Sequence, residues 1–102
     1  MDYLSSGDYE WDESKSQSCA RIRGIDFDFA VRAFGDPHRL IVIVASERYA
    51  EVRSILYGHI EGRLHVVVFT RRAERIRIIS ARKANRREIR FHANRTQEDR
   101  RL

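Results

Sequence analysis

Arginine is the residue that stands out in this chain, and the company it keeps is unusual. In "RIRIISARKA", residues 75–84, Arg75, Arg77, Arg82 and Lys83 are threaded between Ile76, Ile78, Ile79, Ala81 and Ala84. Isoleucines at that density read as a strand. A planar guanidinium donates two parallel hydrogen bonds to a phosphate. Arginines gathered on one face of a sheet therefore point to the binding or stabilisation of a phosphodiester. Arg53, Tyr57 and His59 lie on a neighbouring apolar run. Tyr57 and His59 have the chemistry to stack on bases or to move protons. Glu88 offers a carboxylate for the same task. Tyrosine, with an ordinary pKa of about 10, is a poor base without help. The chain carries no Gly-rich phosphate loop and no nucleophile–base motif. The competing reading of the same charge is a solvated basic face, or a site for an acidic partner protein.

Whether these side chains meet depends on register. Glu61-Gly62 reads as a two-residue hairpin turn. Tyr57 then opposes Val66, Ile55 opposes Val68 and Arg53 opposes Thr70. Taking 71–74 as the next loop, Thr70 opposes Arg75, Val68 opposes Arg77 and Val66 opposes Ile79. Alternation along each strand collects Leu56, Val67, Phe69, Ile76 and Ile78 on one face. Arg53, Ile55, Tyr57, His59, Arg75 and Arg77 fall on the other. His65 does not share that face. Arg82 falls on the opposite parity unless a bulge near Ser80 re-aims it.

The remaining elements follow from caps and periodicity. "WDESKSQSCARIRG" reads as a helix capped by Asp12, with Glu13 in its first turn and Gly24 at its end. "IDFDFAVRAFGDP" gives a second helix, with Phe27, Ala30, Val31 and Phe34 on one side. Residues 39–46 read as a strand and "ERYAE" as a polar connection. A last helix opens near Asn85, where Asn85 and Glu88 fit a capping box. The expected order is α-α-β-β-β-β-α: an α+β domain of two N-terminal helices, a four-stranded antiparallel sheet and a C-terminal helix. Residues 1–8 are expected to be a flexible lead, with "MDYLSSGDY" (1–9) frayed or a brief edge strand, 9–93 the domain, and 94–102 a polar tail.

At 102 residues with 42% hydrophobic and 34% charged content, the chain has room for one core. The net charge of +5 is unevenly spread. Residues 1–36 hold four cations against eight acids, a net of −4, and residues 71–102 hold twelve against four, a net of +8. That asymmetry suits a polyanion or an acidic partner for the C-terminal part. The single cysteine, Cys19, has no internal disulfide partner and no accompanying metal-ligand spacing. No secretory pattern and no apolar run of about 20 residues is present, so a soluble cytoplasmic protein is expected.

Several blocks together resemble one family. "EWDESK" (10–15), "GIDFDFAVRAF" (24–34), "DP" (36–37), "GR" (62–63), "VVVFT" and above all "RIRIISARKA" with Glu88 are similar to the BrnT toxins of type II toxin–antitoxin systems. The resemblance spans about residues 9–92. It implies a RelE/ParE-like fold, RNA cleavage that arrests growth, and neutralisation by a BrnA antitoxin. That antitoxin carries a ribbon-helix-helix domain, and operator DNA is contacted through it. Between the first two helices the family usually has an Asn and then Lys-His-Gly. Here those positions read Cys19 and Ile22-Arg23-Gly24.

The expected mechanism is metal-independent and uses no cofactor. Arg53, Arg75 and Arg77 clamp the scissile phosphate, Arg82, Lys15 and Lys83 support backbone contacts, Tyr57 assists binding, and His59 or Glu88 handles protons. Glu88 has a second role open to it, as a helix-capping carboxylate. The alternatives are a non-catalytic RNA-binding or regulatory protein, and a toxin whose basic face mainly binds an acidic antitoxin segment.

Overall fold

The computed structural model describes residues 8–45 and 51–100, with only the backbone for 97–100. It is an α+β structure of three helices and a five-stranded mixed sheet. The elements run β1 (Tyr9–Trp11), α1 (Glu13–Arg23), α2 (Phe27–Ala30) with a 3₁₀ turn over Val31–Gly35, β2 (Leu40–Val44), β3 (Arg53–Ile60), β4 (Arg63–Arg72), β5 (Arg75–Lys83) and α3 (Arg86–Arg100). The strand order is β1-β5-β4-β3-β2.

The four expected strands form the expected antiparallel meander. The correction is a fifth strand. Residues 9–11 pair parallel with β5, Glu10 lying opposite Arg77. A three-residue strand has too few alternations to signal itself. Of the expected lead, residues 1–7 lie outside the described part, as do residue 46 of the expected strand 39–46 and residues 47–50 of the expected polar connection. Helix α3 runs to Arg100, through most of the stretch expected as a polar tail.

Helix α1 begins and ends where its residues dictate. The Asp12 carboxylate accepts from the amides of Ser14 at 2.9 Å and Lys15 at 3.3 Å. Gly24, at φ 78°, ends it in the left-handed conformation that a side chain disfavours. The second helix is shorter than expected. After Ala30 it tightens into the 3₁₀ turn, closed by the Asp36 amide on the Ala33 carbonyl at 3.3 Å. The tighter winding brings the Ala33 carbonyl against Gly58 of β3, where a Cβ would sit only 2.4 Å from that oxygen.

The expected core face is the observed one. Leu56, Val67, Phe69, Ile76 and Ile78 are buried against Phe27, Ala30, Ala33 and Phe34. Phe34 meets Phe69 edge-on at 5.1 Å between ring centroids. The opposite face carries a smaller cluster, Leu64, Val66 and Ala84 with Ile55 and Tyr57. There α3 lays Phe91 on Tyr57 at 5.4 Å.

Candidate functional site

The β3–β4 register is as expected: Arg53 opposes Thr70, Ile55 opposes Val68 and Tyr57 opposes Val66 around Glu61-Gly62. Both turn residues have positive φ, 51° and 80°, as a twisted two-residue hairpin requires. The second hairpin differs. Its turn is Ala73-Glu74 alone, so Arg72 pairs with Arg75 and Thr70 with Arg77. The expected pairs Thr70–Arg75, Val68–Arg77 and Val66–Ile79 are therefore wrong. Between the turn and Phe69–Ile78 the slip is two residues, which preserves parity, so Arg75 and Arg77 keep their face.

The bulge decides Arg82. Phe69 pairs with Ile78 but Val68 pairs with Ser80, leaving Ile79 as an extra residue. Beyond it parity inverts, and Arg82 opposite Val66 joins the face of Arg77. Lys83, opposite His65, is on the core-face parity and exposed at its edge.

The arginines share a face but not a site. Across the sheet runs Glu10–Arg77–Thr70–Arg53, with Thr70 buried between the two guanidinium-bearing positions. Arg53 and Arg77 are two strand spacings apart, about 10 Å. The Arg77 guanidinium stands 3.8 Å from the Glu10 carboxylate, beyond a hydrogen bond. Arg75 donates to the Tyr9 carbonyl at 3.0 Å. The charge threaded through β5 thus alternates with core isoleucines and leans on acids and carbonyls of β1 and α3.

Arg82 belongs to the other end. It donates to both oxygens of Glu88 at 2.8 Å. Glu88 also accepts from the Asn85 amide at 2.9 Å, while the Asn85 side chain accepts from the Glu88 amide at 2.9 Å. This is the expected capping box, with a strand arginine added. The Arg82 hydrogen bonds hold the Glu88 carboxyl below the usual carboxylate range, and Glu88 in turn raises Arg82. Burial, then the charge of Glu88, pushes the Tyr57 phenol up.

His59 lies six residues along β3 from Arg53, about 20 Å. Its ring Nδ1 is 2.7 Å from Asp36, whose carboxylate also accepts from the His59 amide at 2.7 Å and the His38 amide at 2.8 Å. Burial raises the Asp36 carboxyl, but those hydrogen bonds together outweigh it and its pKa is lowered. His65 is buried on the other face, edge-on to Phe29.

Lys15 lines a separate pocket of about 210 Å³ between α1 and the β5 bulge, with Ser18, Cys19, Arg23, Ile79 and Ser80. Cys19, Ile22 and Arg23, which stand where the resemblance implies Asn, Lys and His, all line it. Cys19 Sγ, at 3.2 Å, and Arg23, at 3.0 Å, both donate to the Ala81 carbonyl. Ile22 is exposed.

Glu10 is the residue that sequence reasoning missed. It was legible only as part of "EWDESK", and its place beside Arg77 depends on the parallel pairing of β1. Together Arg53 and Arg77 offer positive charge to an anion lying over Thr70, with the Glu10 carboxylate on the far side of Arg77. No curated protein gives a significant match to the chain. A family model described as "Ribonuclease toxin, BrnT, of type II toxin-antitoxin system" matches residues 11–88. That match covers most of the chain and includes β3, β4, β5 and the Arg82–Glu88 pair, and on it the protein belongs to the BrnT toxin family.

Proposed function

We propose that this toxin is a metal-independent endoribonuclease whose cleavage site is the row Glu10–Arg77–Thr70–Arg53. The observation that carries this reading is the pairing of Arg53 and Arg77 to opposite sides of Thr70, on the face that α1 and α2 leave uncovered. A phosphodiester lying over Thr70 meets a guanidinium on each side. The 2′-hydroxyl gives its proton to Glu10 while its oxygen bonds to phosphorus. The bond to the 5′ oxygen breaks, and that oxygen takes a proton from water or from Glu10. The charge on the five-coordinate phosphorus is balanced by Arg53 and Arg77, the work a metal ion does elsewhere. Arg75 and Arg82 extend the positive path along β5, whereas Lys15 and Lys83 belong to the side of the sheet that α1 covers. His59 and Glu88, the expected proton carriers, stand at the other end with Asp36 and Arg82 as partners. Proton transfer at this row therefore falls to Glu10.

Membership of a toxin–antitoxin family brings an antitoxin partner. A BrnA-like protein with a ribbon-helix-helix domain fits that place, with operator DNA bound through it. The site of action is then the cytoplasm, where RNA is reached. Among the described residues no helix is long and apolar enough to cross a membrane.

The test is RNA cleavage by purified protein in EDTA at moderate salt. Removing a transition-state donor costs about a hundredfold to a thousandfold, so Arg77→Ala and Arg53→Ala should lose cleavage by that factor. Glu10→Gln should lose about a hundredfold or more. Full activity in Arg77→Ala sinks the row. A second reading, a non-catalytic RNA-binding protein, is favoured by Ile22-Arg23 standing where the family usually has Lys-His, with Arg23 engaged by the Ala81 carbonyl. Salt-sensitive RNA binding without cleavage by the wild type would select it.

A further inference from the structure

Three of the chain's four histidines converge at one place that the RNA-cleaving row does not touch. His38, His59 and His92 line a pocket of about 340 Å³ with Leu64, Ile89 and Thr96. They come from three segments: the stretch before β2, the end of β3, and α3. Asp36 stands behind them. One ligand atom from each of Asp36, His59 and His92 lies within 4.8 Å of the other two.

The geometry points to a transition-metal site, built by Asp36, His59 and His92 where α3 crosses the end of β3, that takes Zn²⁺ or a related borderline divalent ion. Two imidazoles and a carboxylate are a donor set for Zn²⁺, Co²⁺ or Ni²⁺ and a poor one for Mg²⁺ or Ca²⁺. Three protein ligands leave a further position, which opens into the pocket. Around a tetrahedral ion with bonds of about 2.0–2.2 Å the donors stand roughly 3.4 Å apart. The donors lie within 4.8 Å of one another, and reaching this spacing requires a small rotation of the 41% exposed His59 side chain, which exchanges its 2.7 Å contact with Asp36 for the ion.

The surroundings are already those of a ligand shell. The His92 ring is buried and its Nε2 donates to the His38 carbonyl at 2.7 Å, which leaves Nδ1 with the lone pair. A backbone carbonyl fixing the second nitrogen of an imidazole is the usual support of a metal-bound histidine. Asp36 is held in place by the amides of His38 and His59. The His59 and His92 rings face each other edge-on at 5.1 Å. His92 lies beyond the residues matched by the family model, which end at Glu88, so one ligand comes from outside the matched segment. An ion here joins α3 to the sheet by coordinate bonds. The proposal is independent of RNA cleavage, which is assigned to a row about 20 Å away along β3.

The experiment uses the full chain without a polyhistidine tag. Zn²⁺ is titrated by calorimetry, Co²⁺ by visible absorption, and Mg²⁺ serves as the hard-ion control. The expected result is one Zn²⁺ per chain, a Co²⁺ spectrum of low-coordinate N/O type, and a Tm raised by about 10 °C at a hundredfold excess over Kd. His92→Ala and His59→Gln should each weaken Zn²⁺ by about a hundredfold, while His65→Gln on the opposite face leaves it unchanged. His59→Gln alters a half-exposed side chain, so it reports on binding even where His92→Ala unfolds α3. Absence of saturable Zn²⁺ binding, binding that survives His59→Gln, or equal binding of Mg²⁺ overturns the site.

Discussion

At the scale of single residues, Glu88 combines two tasks: it closes the cap of α3 and it grips Arg82. Because its folded pKa is lowered, its contribution to stability is complete above the ordinary value of 4.5 and is lost as pH falls through the lower folded value. Glu88→Gln should cost about 1 kcal/mol at neutral pH, the solvent-facing side of Arg82 limiting the loss. It should also flatten the acid limb below pH 4.5, which urea melts across pH 3–7 would reveal. An unchanged acid limb would mean that the pair is ornamental. His65 acts in a different window. Burial lowers its pKa from the ordinary 6.5, so the folded state favours the neutral ring. Stability is then present above 6.5 and declines as pH falls through the folded value. The decline between pH 7 and pH 5 should shrink in His65→Gln. If both proteins lose stability equally over that range, His65 is not its source.

At the scale of elements, the bulge in β5 and the close approach at Gly58 set the architecture. Gly58→Ala drives a Cβ into the Ala33 carbonyl, and should cost about 2–3 kcal/mol, measured as a lowered urea midpoint. Deleting Ile79 removes the one unpaired residue of the ladder and keeps parity on both sides, so the fold and the outward aim of Arg82 should survive. Inserting an alanine after Ile79 should instead turn Arg82 toward the core and prevent folding; thermal melts of the two variants separate these outcomes. The elements also show which parts of the fold were legible. Glu61-Gly62 announces its turn because glycine tolerates positive φ. "RRAE" hides one, because Ala73 adopts φ 54° without any residue that advertises it. The misread loop still left Arg77 on its proper face, since a slip of two residues preserves alternation. Arg82 hung on a bulge that no single residue type encodes. Glu10 stayed hidden because parallel pairing joins segments separated by most of the chain, and nothing local in three residues reports it.

At the scale of the whole molecule, the acidic first third and the basic last third are held in contact. Glu10 meets Arg77 across β1 and β5, so part of the charge difference is neutralised within the fold. The remaining net charge of +5 still favours a polyanion. RNA affinity should fall linearly with salt on logarithmic axes. Arg53→Ala or Arg77→Ala should each lower the slope by about 0.7 for single-stranded RNA. A slope identical to the wild type would place the phosphates elsewhere on the surface. The sequence showed the basic character of β5 plainly. It did not show that Arg75 and Arg82 are each tied to an internal acceptor, since those partners come from β1 and α3.

The parallel pairing of β1 with β5 has a consequence in time. During synthesis, residues 9–11 emerge early, and their partner, residues 76–78, emerges more than sixty residues later. Contacts so distant along a chain form late, because a long loop must close first. Glu10 and Arg77 cannot meet before the ribosome has released nearly all of the described chain. On the cleavage row proposed above, activity therefore arises only once the sheet is closed, after the chain is nearly complete.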